Sequence, residues 1–389
     1  MNESHPKDAG QSDRPDEEGS FVSERDLREI KGSLRIIAVT CIALLLVLFA
    51  VAFRALAPML KPLAVSVVFC YLIYPSISFL VRHRIPRLLA YAMGAGGLFT
   101  LLYIIGQLIA LNVARFSSNI GDYRENLSSY LVTIDAVARR YRLILPGEEL
   151  STDKIMSTLP DDLFARLLGG STTFAFDFVG NLLIIVLFMV FILLETERLE
   201  ERVRLAYGPE QALRILGVVE NINKHVQRYL VIKVLLSFVT AVVATAIMGA
   251  FGLHFYFLLG TSVFFFNFIP YFGSIFATII PTVLALLQFS SPGDALWLAL
   301  LLTGVQFFIG NLLDPQLLGR NLNLSPVLIL VALAFWAWLW GVLGMVLAVP
   351  IMVTIRIALE HFPETRPYAI LMSNMVVEHS EKAEARGEM

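Results

Sequence analysis

The sequence predicts an all-α, polytopic integral membrane protein. Of its 389 residues, 57% are hydrophobic and only 16% are charged, and the mean hydropathy is +0.72. A soluble domain of this length would need more polar surface than that. Apolar runs recur along the chain at the length of about 20 helical residues that crosses a bilayer core roughly 30 Å thick. Together these observations predict about eight spans.

Six apolar runs have the length of a single span. They cover residues 34–53, 62–81, 88–111, 174–194, 229–251 and 295–313. Two further runs, 255–289 and 324–359, are too long for one span and short for two. Each is interrupted near its middle, the first at Pro270–Gly273 and the second at Gly341–Gly344. We therefore expect two broken helix regions, which either cross the membrane fully or re-enter it.

Lysine and arginine residues indicate how the spans are oriented. They cluster before the first span, between the second and third spans, and within 195–228, and such clusters favour the cytoplasmic side. The predicted division is a disordered cytoplasmic tail (1–33), three spans (34–111), an extracytoplasmic helical region (112–173), one span (174–194), a cytoplasmic helical segment (195–228), a membrane block with broken helices (229–359) and a cytoplasmic tail (360–389). Both termini are expected in the cytoplasm.

The extracytoplasmic region 112–173 carries a heptad-like apolar stripe. Its members are Phe116, Ile120, Tyr123, Leu127, Tyr130, Ile134, Val137 and Tyr141. The alternating spacing of four and three residues is typical of one face of a helix. Such a helix lies either on the membrane domain or bilayer surface, or packs against a second copy in a homo-oligomer. The residues alone leave both interpretations open.

The break at FFFNFIPYFGS (264–274) is the strongest pointer to function. In lipid, irregular backbone survives only where protein or a water-filled cavity covers it. The asparagine either caps a freed backbone group of a kinked helix, or the break lines a solute path, as broken helices do in secondary transporters. The candidate path residues are Asn267, Pro270, Tyr271, Gly273, Gln306 and Asn311.

Asp314 lies between the two breaks, where a span approaches its inner boundary. It precedes a proline, so it is expected to end its helix, and an ionisable group inside a membrane is a functional candidate. Paired with Arg320, it would bind a coupling ion, either a proton or sodium. The alternative is that Asp314 is interfacial and only terminates the helix. Lys233 is expected to reach the inner interface with its amine.

Several function classes lack their residues. The chain contains no G-x-x-x-x-G-K, H-E-x-x-H or G-x-S-x-G motif, no histidine pair at ligand spacing and no basic stripe. We therefore expect no enzymatic activity, no cofactor, no metal site and no nucleic-acid partner. The expected partners are the lipid bilayer and a small-molecule solute.

Blocks of the chain resemble the autoinducer-2 exporter family of bacterial permeases. One segment resembles the family's most recognisable motif, namely FFFNFIPYFGSIFATIIPTVLALL. A second resembles the family's C-terminal block, namely NLLDPQLLGRNLNLSPVLILVALAFWAWLWGVLGMVLAVPIMVTI. The resemblance runs from about residue 34 to 360. The motif residues carried over are Asn267, Ile269, Pro270, Gly273, Pro315, Gly319, Pro326, Gly341, Gly344 and Pro350. The chain departs at Ser274, where the family usually has proline, and at Ser325, where it commonly has histidine.

The resemblance implies a secondary permease of the bacterial inner membrane that exports the quorum-sensing signal autoinducer-2 or exchanges sodium for protons. The near absence of charge between residues 234 and 319 suits a neutral hydroxylated solute better than a bare cation. Sodium–proton antiport is the alternative within the class. A non-transport scaffold or signalling protein, acting through 112–173 and 195–228, is the alternative outside it.

Overall fold

The structure is a computed structural model that describes residues 24–118, 171–289, 291–318 and 324–373. All regular secondary structure in these ranges is helical. In chain order the helices are α1 (Glu24–Ala55), α2 (Ala57–Arg82), α3 (Arg87–Ser118), α4 (Ser171–Ala206), α5 (Pro209–Ala250), α6 (Tyr256–Phe266), α7 (Phe272–Gln288), α8 (Pro292–Phe307), a π-helical turn (Phe308–Leu313), α9 (Asp314–Leu318), α10 (Pro326–Trp340), α11 (Val342–Glu360) and α12 (Arg366–Leu371). Most of the predicted stripe in 112–173 lies outside the described residues.

Seven helices in the described ranges are long and apolar enough to cross a membrane. Their apolar stretches are Ile37–Ala55, Ala57–Arg82, Arg87–Leu111, Phe178–Thr196, Pro209–Ala250, Pro292–Leu317 and Val342–Glu360. The shorter apolar helices α6, α7 and α10 belong to the two interrupted regions. The prediction of an all-α polytopic membrane protein is therefore confirmed. The described residues up to Ala55, which form α1, are a unit of their own, and all that follows concerns the described residues of the second unit, from Leu56 onward.

Helix α5 is the element around which this unit is arranged. It has 42 residues, so it is about 63 Å long at 1.5 Å per residue. It contacts α2, α4, α6, α8, α9 and α11. Its first half is rich in polar residues, and its second half, from Tyr229 onward, is largely apolar. The segment 195–228, expected to be cytoplasmic, consists of the end of α4 and the start of α5, joined at Gly208 with a proline in the first turn of α5.

The first interrupted region, α6 and α7, folds back as a helical hairpin, which we call the first hairpin (residues 256–288). Gln288, the last residue of α7, donates through Nε2 to the carbonyl of Gly252 at 2.8 Å, and its Oε1 accepts from the backbone N–H of His254 at 2.6 Å. Gly252 and His254 directly follow α5 and precede α6. Both ends of the first hairpin therefore lie at the C-terminal end of α5.

The core of the first hairpin shows which helices enclose it. Leu259 and Val263 of α6 and Ala277 and Ala285 of α7 are buried in one apolar cluster. Helix α5 contributes Ala244 and Met248 to this cluster, and α8 contributes Ala295, Leu298 and Leu302. The body of the hairpin is therefore packed between two longer helices.

The second interrupted region, α10 and α11, forms the second hairpin (residues 326–360). The backbone N–H of Ser325, which precedes α10, donates to the carbonyl of Met372 at 3.0 Å, and Met372 follows α12, which packs against α11. The C-terminal half of α11 shares a buried cluster with the part of α5 around Tyr229. Both ends of the second hairpin thus lie toward the N-terminal half of α5.

The two hairpins enter from opposite ends of α5 and meet. Ile269, at the tip of the first hairpin, is buried with Ala332 and Leu333 of α10 and Ala348 of α11. The tip of the first hairpin therefore packs against the middle of the second.

Candidate functional site

The tip of the first hairpin is a tight turn over residues 267–271. The backbone N–H of Phe272 donates to the carbonyl of Pro270 at 2.7 Å, which closes a γ-turn around Tyr271 at φ +63° and ψ −57°. A γ-turn with positive φ is rare and strained for a residue with a side chain. The hydroxyl of Ser274, at one of the two departures from the resembled motif, donates to the Tyr271 carbonyl at 3.0 Å. The tip is thus held in one conformation by its own hydrogen bonds.

This strain makes Tyr271→Gly a stabilising change. Glycine adopts φ +63° without a steric penalty, and Tyr271 is 54% exposed, so little burial is lost. We expect the free energy of unfolding in detergent to rise by about 1 kcal/mol, the strain relieved less the entropy cost of glycine. Tyr271→Ala is the matched control, because it removes the ring but keeps the positive φ. An equal rise in both variants would show that the ring, not the backbone, is the cause.

Asn267 joins the tip to α5. Its Nδ2 donates to Oγ of Ser237 at 3.1 Å, and Ser237 is fully buried. Ser237 lies 13 residues before Ala250, the last residue of α5. At 1.5 Å per residue that is about 20 Å from the end of the helix, or about two thirds of a bilayer core roughly 30 Å thick. The asparagine therefore reaches a polar contact deep in the helical bundle.

One turn of α5 before Ser237, Lys233 forms a buried ion pair with Asp314. Its Nζ donates to Oδ2 of the carboxylate at 2.8 Å, and the two side chains are only 7% and 20% exposed. The Lys233 amine, expected at the inner interface, is therefore paired with a carboxylate within the bundle. Arg320, the partner expected for Asp314, lies outside the described residues. The partner that the structure shows is 81 residues earlier in the chain.

A π-helical turn places Asp314 opposite α5. The backbone N–H of Asp314 donates to the carbonyl of Ile309, five residues earlier, and each extra residue in a turn rotates the following side chains by about 100°. The expectation that Asp314 ends its helix is wrong, since α9 continues to Leu318. Pro315 directly follows the π-helical turn, where the regular α-helical hydrogen-bond pattern is already interrupted. Oδ1 of Asp314 is buried and has no hydrogen-bond partner among the described residues.

The other expected path residues separate into two groups. Gln306 is buried and extends the stripe of Ala295, Leu298 and Leu302, by which α8 packs into the bundle. Tyr271 and Asn311 are exposed on the surface. The structure therefore buries Gln306, buries Asn267 and Asp314 in part, and leaves Tyr271 and Asn311 exposed.

The remaining motif residues shape the hairpins. Gly341 alone joins α10 to α11 at φ +70° and ψ −145°, a region open essentially to glycine. A Cβ added to Gly344 would overlap the backbone carbonyl of Trp336. A Cβ added to Gly273 would overlap the backbone carbonyl of Phe266. Pro326 begins α10 and Pro350 is buried inside α11. Gly319 lies outside the described residues.

Sequence reasoning missed the polar face of α5. Lys233, Ser237 and Thr240 are all buried and lie at spacings of four and three residues, which is one side of a helix. That periodicity was present in an otherwise apolar run and could have marked the face that meets Asn267 and Asp314. Among the described residues, no group of three His, Cys, Asp or Glu side chains converges in a way that could hold a metal ion.

Comparison with known proteins gives a consistent assignment. Residues 42–364 match the family described as AI-2E family transporter. A protein of Borreliella burgdorferi, named only in general terms for transport, is 28% identical over 85% of this chain and 89% of its own length. The AI-2 transport protein TqsA of Escherichia coli K12 is 27% identical over 85% of this chain and 94% of its own length. A Haemophilus influenzae relative with a similarly general name is 26% identical over 82% of this chain and 91% of its own length. The chain belongs to the AI-2E family of transporters.

Proposed function

We propose that this chain is a secondary transporter that exports a small polar solute past the tip of the first hairpin. The observation that carries the proposal is the meeting of the two oppositely directed hairpins at Ile269. Broken helices supply exposed helix ends and turn backbone to a solute at mid-membrane. This role is that of a transporter rather than an enzyme.

The opposed hairpins suggest how access could alternate. The body of the first hairpin lies between its tip and the C-terminal end of α5. The second hairpin lies on the other side of that tip, toward the N-terminal half of α5. Displacing one hairpin while the other stays in place would open the interior to one side only. The Asn267–Ser237 hydrogen bond would hold the first hairpin in its closed position until a solute group replaces it.

The solute class follows from the polar groups at the tip. Asn267 offers amide donors and an acceptor, and its partner Ser237 offers a hydroxyl. Gln306 is a further buried amide, on α8. Such groups suit a neutral solute with several hydroxyls. Autoinducer-2 is the first candidate, because a relative that covers most of this chain is named an AI-2 transport protein.

The proposed setting is the bacterial inner membrane with both termini in the cytoplasm. The end of α4 and the start of α5 carry many of the chain's arginines and lysines, which favour the cytoplasmic side. In this orientation the first hairpin enters from outside and the second from inside.

Sodium–proton exchange is the second candidate. The observation that favours it is the carboxylate of Asp314, which is held within the bundle by a buried lysine, since ionisable groups inside the membrane commonly mark ion pathways. Uptake of autoinducer-2 in the experiment below would favour solute export over this candidate.

The test is uptake of labelled autoinducer-2 into inverted membrane vesicles. We expect Asn267→Ala to lower the rate about tenfold, because one hydrogen bond at the path contributes roughly 1–1.5 kcal/mol. Thr261→Ala is the matched control, since the Thr261 hydroxyl bonds only the carbonyl of Phe257 in its own helix. No uptake above empty vesicles by folded protein would remove autoinducer-2 as the solute. Equal uptake by Asn267→Ala and wild type would show that the solute does not pass the tip of the first hairpin.

A further inference from the structure

The connection between α2 and α3 is short, basic and exposed. It carries three arginines and one histidine within RHRIPR, residues 82–87, and all four basic side chains are exposed. Residues 30–121 contain no aspartate or glutamate, so the stretches of chain on either side supply no carboxylate to these bases. The positive charge of this segment, which we call the basic loop, is therefore not balanced by its own part of the chain.

The basic loop lies at the edge of the membrane-spanning part of the fold. The apolar stretch of α2 ends at Arg82 and that of α3 begins at Arg87. The four residues between them, 83–86, reach outward and back by at most about 7 Å. One headgroup layer of a bilayer is roughly 5–8 Å deep. The arginines of the basic loop therefore lie at the level of the lipid phosphates.

Arg84 has a backbone conformation that residues with a side chain avoid. Its φ is +66°. Its N–H donates to the carbonyl of Val81 at 3.0 Å, and the N–H of Ile85 donates to the carbonyl of Leu80 at 3.3 Å. These two hydrogen bonds form a Schellman motif, which ends a helix and usually has glycine at the position of Arg84. Because glycine would adopt this φ without a steric penalty, the fold alone does not favour an arginine here.

The Arg84 side chain is turned to no partner in the part of the chain that the structure describes. Its guanidinium is exposed and makes no hydrogen bond or ion pair with the described residues. Two arginines near the end of α4 differ in this respect. Arg204 pairs with Glu200 at 2.9 Å, and Arg202 pairs with Glu195. The guanidinium of Arg84 is therefore available to an anion from outside the chain.

Exposed apolar side chains adjoin the basic loop on both helices. Phe79, in the last turn of α2, is exposed, and its ring lies against that of His83 with the centroids 4.2 Å apart. Leu88 and Leu89, at the start of α3, are also exposed. All three apolar residues lie within stretches of membrane-spanning length, where lipid acyl chains reach them. The loop and its surroundings thus offer charge at headgroup depth and apolar surface beside it.

We propose that the basic loop binds the headgroup phosphate of an anionic phospholipid, with Arg84 as its main ligand. The planar guanidinium matches the oxygens of a phosphate in a bidentate arrangement. Basic residues next to a span attract anionic lipids. A phospholipid fits this position better than a free phosphate ion, because the loop lies at headgroup depth and exposed apolar side chains adjoin it. The inference does not depend on which solute the protein moves.

The test counts the phospholipids bound to the purified full chain in a neutral detergent by native mass spectrometry. Phosphatidylglycerol is the probe, phosphatidylcholine is the control for the headgroup, and inorganic phosphate is the soluble competitor. Wild type should bind phosphatidylglycerol more tightly than phosphatidylcholine. Arg84→Gly should lower the affinity for phosphatidylglycerol about fivefold, which corresponds to the roughly 1 kcal/mol contributed by one basic residue at an anionic surface.

Arg84→Gly also separates lipid binding from folding. Glycine relieves the positive φ, so the unfolding temperature without added lipid should equal or exceed that of wild type. The rise in that temperature on adding phosphatidylglycerol should be smaller than in wild type, because a bound ligand stabilises the folded state. If Arg84→Gly does not fold, Arg84→Asn takes its place, since asparagine tolerates this conformation.

Arg204→Gln is the matched control. Arg204 is an exposed arginine of α4 beyond the apolar stretch that ends at Thr196, so its replacement should leave the affinity for phosphatidylglycerol unchanged. An equal loss in Arg204→Gln and Arg84→Gly would overturn the inference, because net charge alone would then explain it.

Three further outcomes would also overturn the inference. One is an unchanged affinity for phosphatidylglycerol in Arg84→Gly, which would leave the loop with a role in orientation only. The second is equal affinity of wild type for the two phospholipids, which would show that no anion is recognised. The third is displacement of the lipid by inorganic phosphate at equal concentration, which would assign the site to a free anion. Solute export stands in each case.

Discussion

Asp314→Ala is expected to lower the free energy of unfolding by about 3–5 kcal/mol, because it leaves the Lys233 ammonium buried without a counter-charge. The ammonium lies 2.8 Å from the carboxylate and the side chain is 7% exposed, so water cannot replace the lost partner without opening the bundle. Lys233→Ala should cost a similar amount for the converse reason. Denaturant-induced unfolding in detergent, followed by the fluorescence of the four tryptophans, would measure both.

The double variant Lys233→Met with Asp314→Leu is the control for this prediction. Replacing both members of a buried ion pair with apolar side chains of similar size is often neutral or stabilising. We expect it to recover most of the stability lost in either single variant. If the single variants were as stable as wild type, the pair would have to be hydrated in solution, contrary to its burial in the structure.

Gly273→Ala is expected to disrupt the tip of the first hairpin. The added Cβ would overlap the backbone carbonyl of Phe266, the last residue of α6, and a backbone atom cannot rotate away as a side chain can. We expect a loss of about 3 kcal/mol in the free energy of unfolding, at the upper end of the cost of overpacking, together with loss of transport. Thermal unfolding in detergent and vesicle uptake would measure the two effects.

Gly304→Ala is the matched control for the tip glycine. Gly304 lies inside α8, and a Cβ there meets no atom within 4 Å. Alanine favours helix over glycine by about 0.5–1 kcal/mol, so stability should stay the same or rise. If Gly273→Ala behaved like Gly304→Ala, the close approach of α7 to Phe266 would not exist in the folded protein.

Local chemistry was enough to locate the interruptions. Pro270 removes a backbone donor, and Gly273 and Gly341 permit conformations that other residues avoid, so the breaks near Pro270 and Gly341 were predictable from those residues alone. The same local reasoning predicted wrongly that the helix ends at Asp314. A proline usually ends a helix at the residue before it, but here a π-helical turn lets the helix continue to Leu318. It also could not separate Gln306, which is buried, from Asn311, which is exposed. Which side of a nearly uniform apolar helix packs inward depends on its neighbours.

By itself the sequence determined that this protein is helical, crosses a membrane several times and interrupts two of its apolar regions, since composition and periodicity act within a single helix. Only the tertiary structure decided that both interruptions are hairpins, that they enter from opposite ends of α5, and that Lys233 pairs with Asp314. Those features join residues far apart in the chain, such as the 81-residue separation of the ion pair. The physical reason is that a hydrogen bond or ion pair between distant segments depends on how whole helices pack, and no local pattern records that packing.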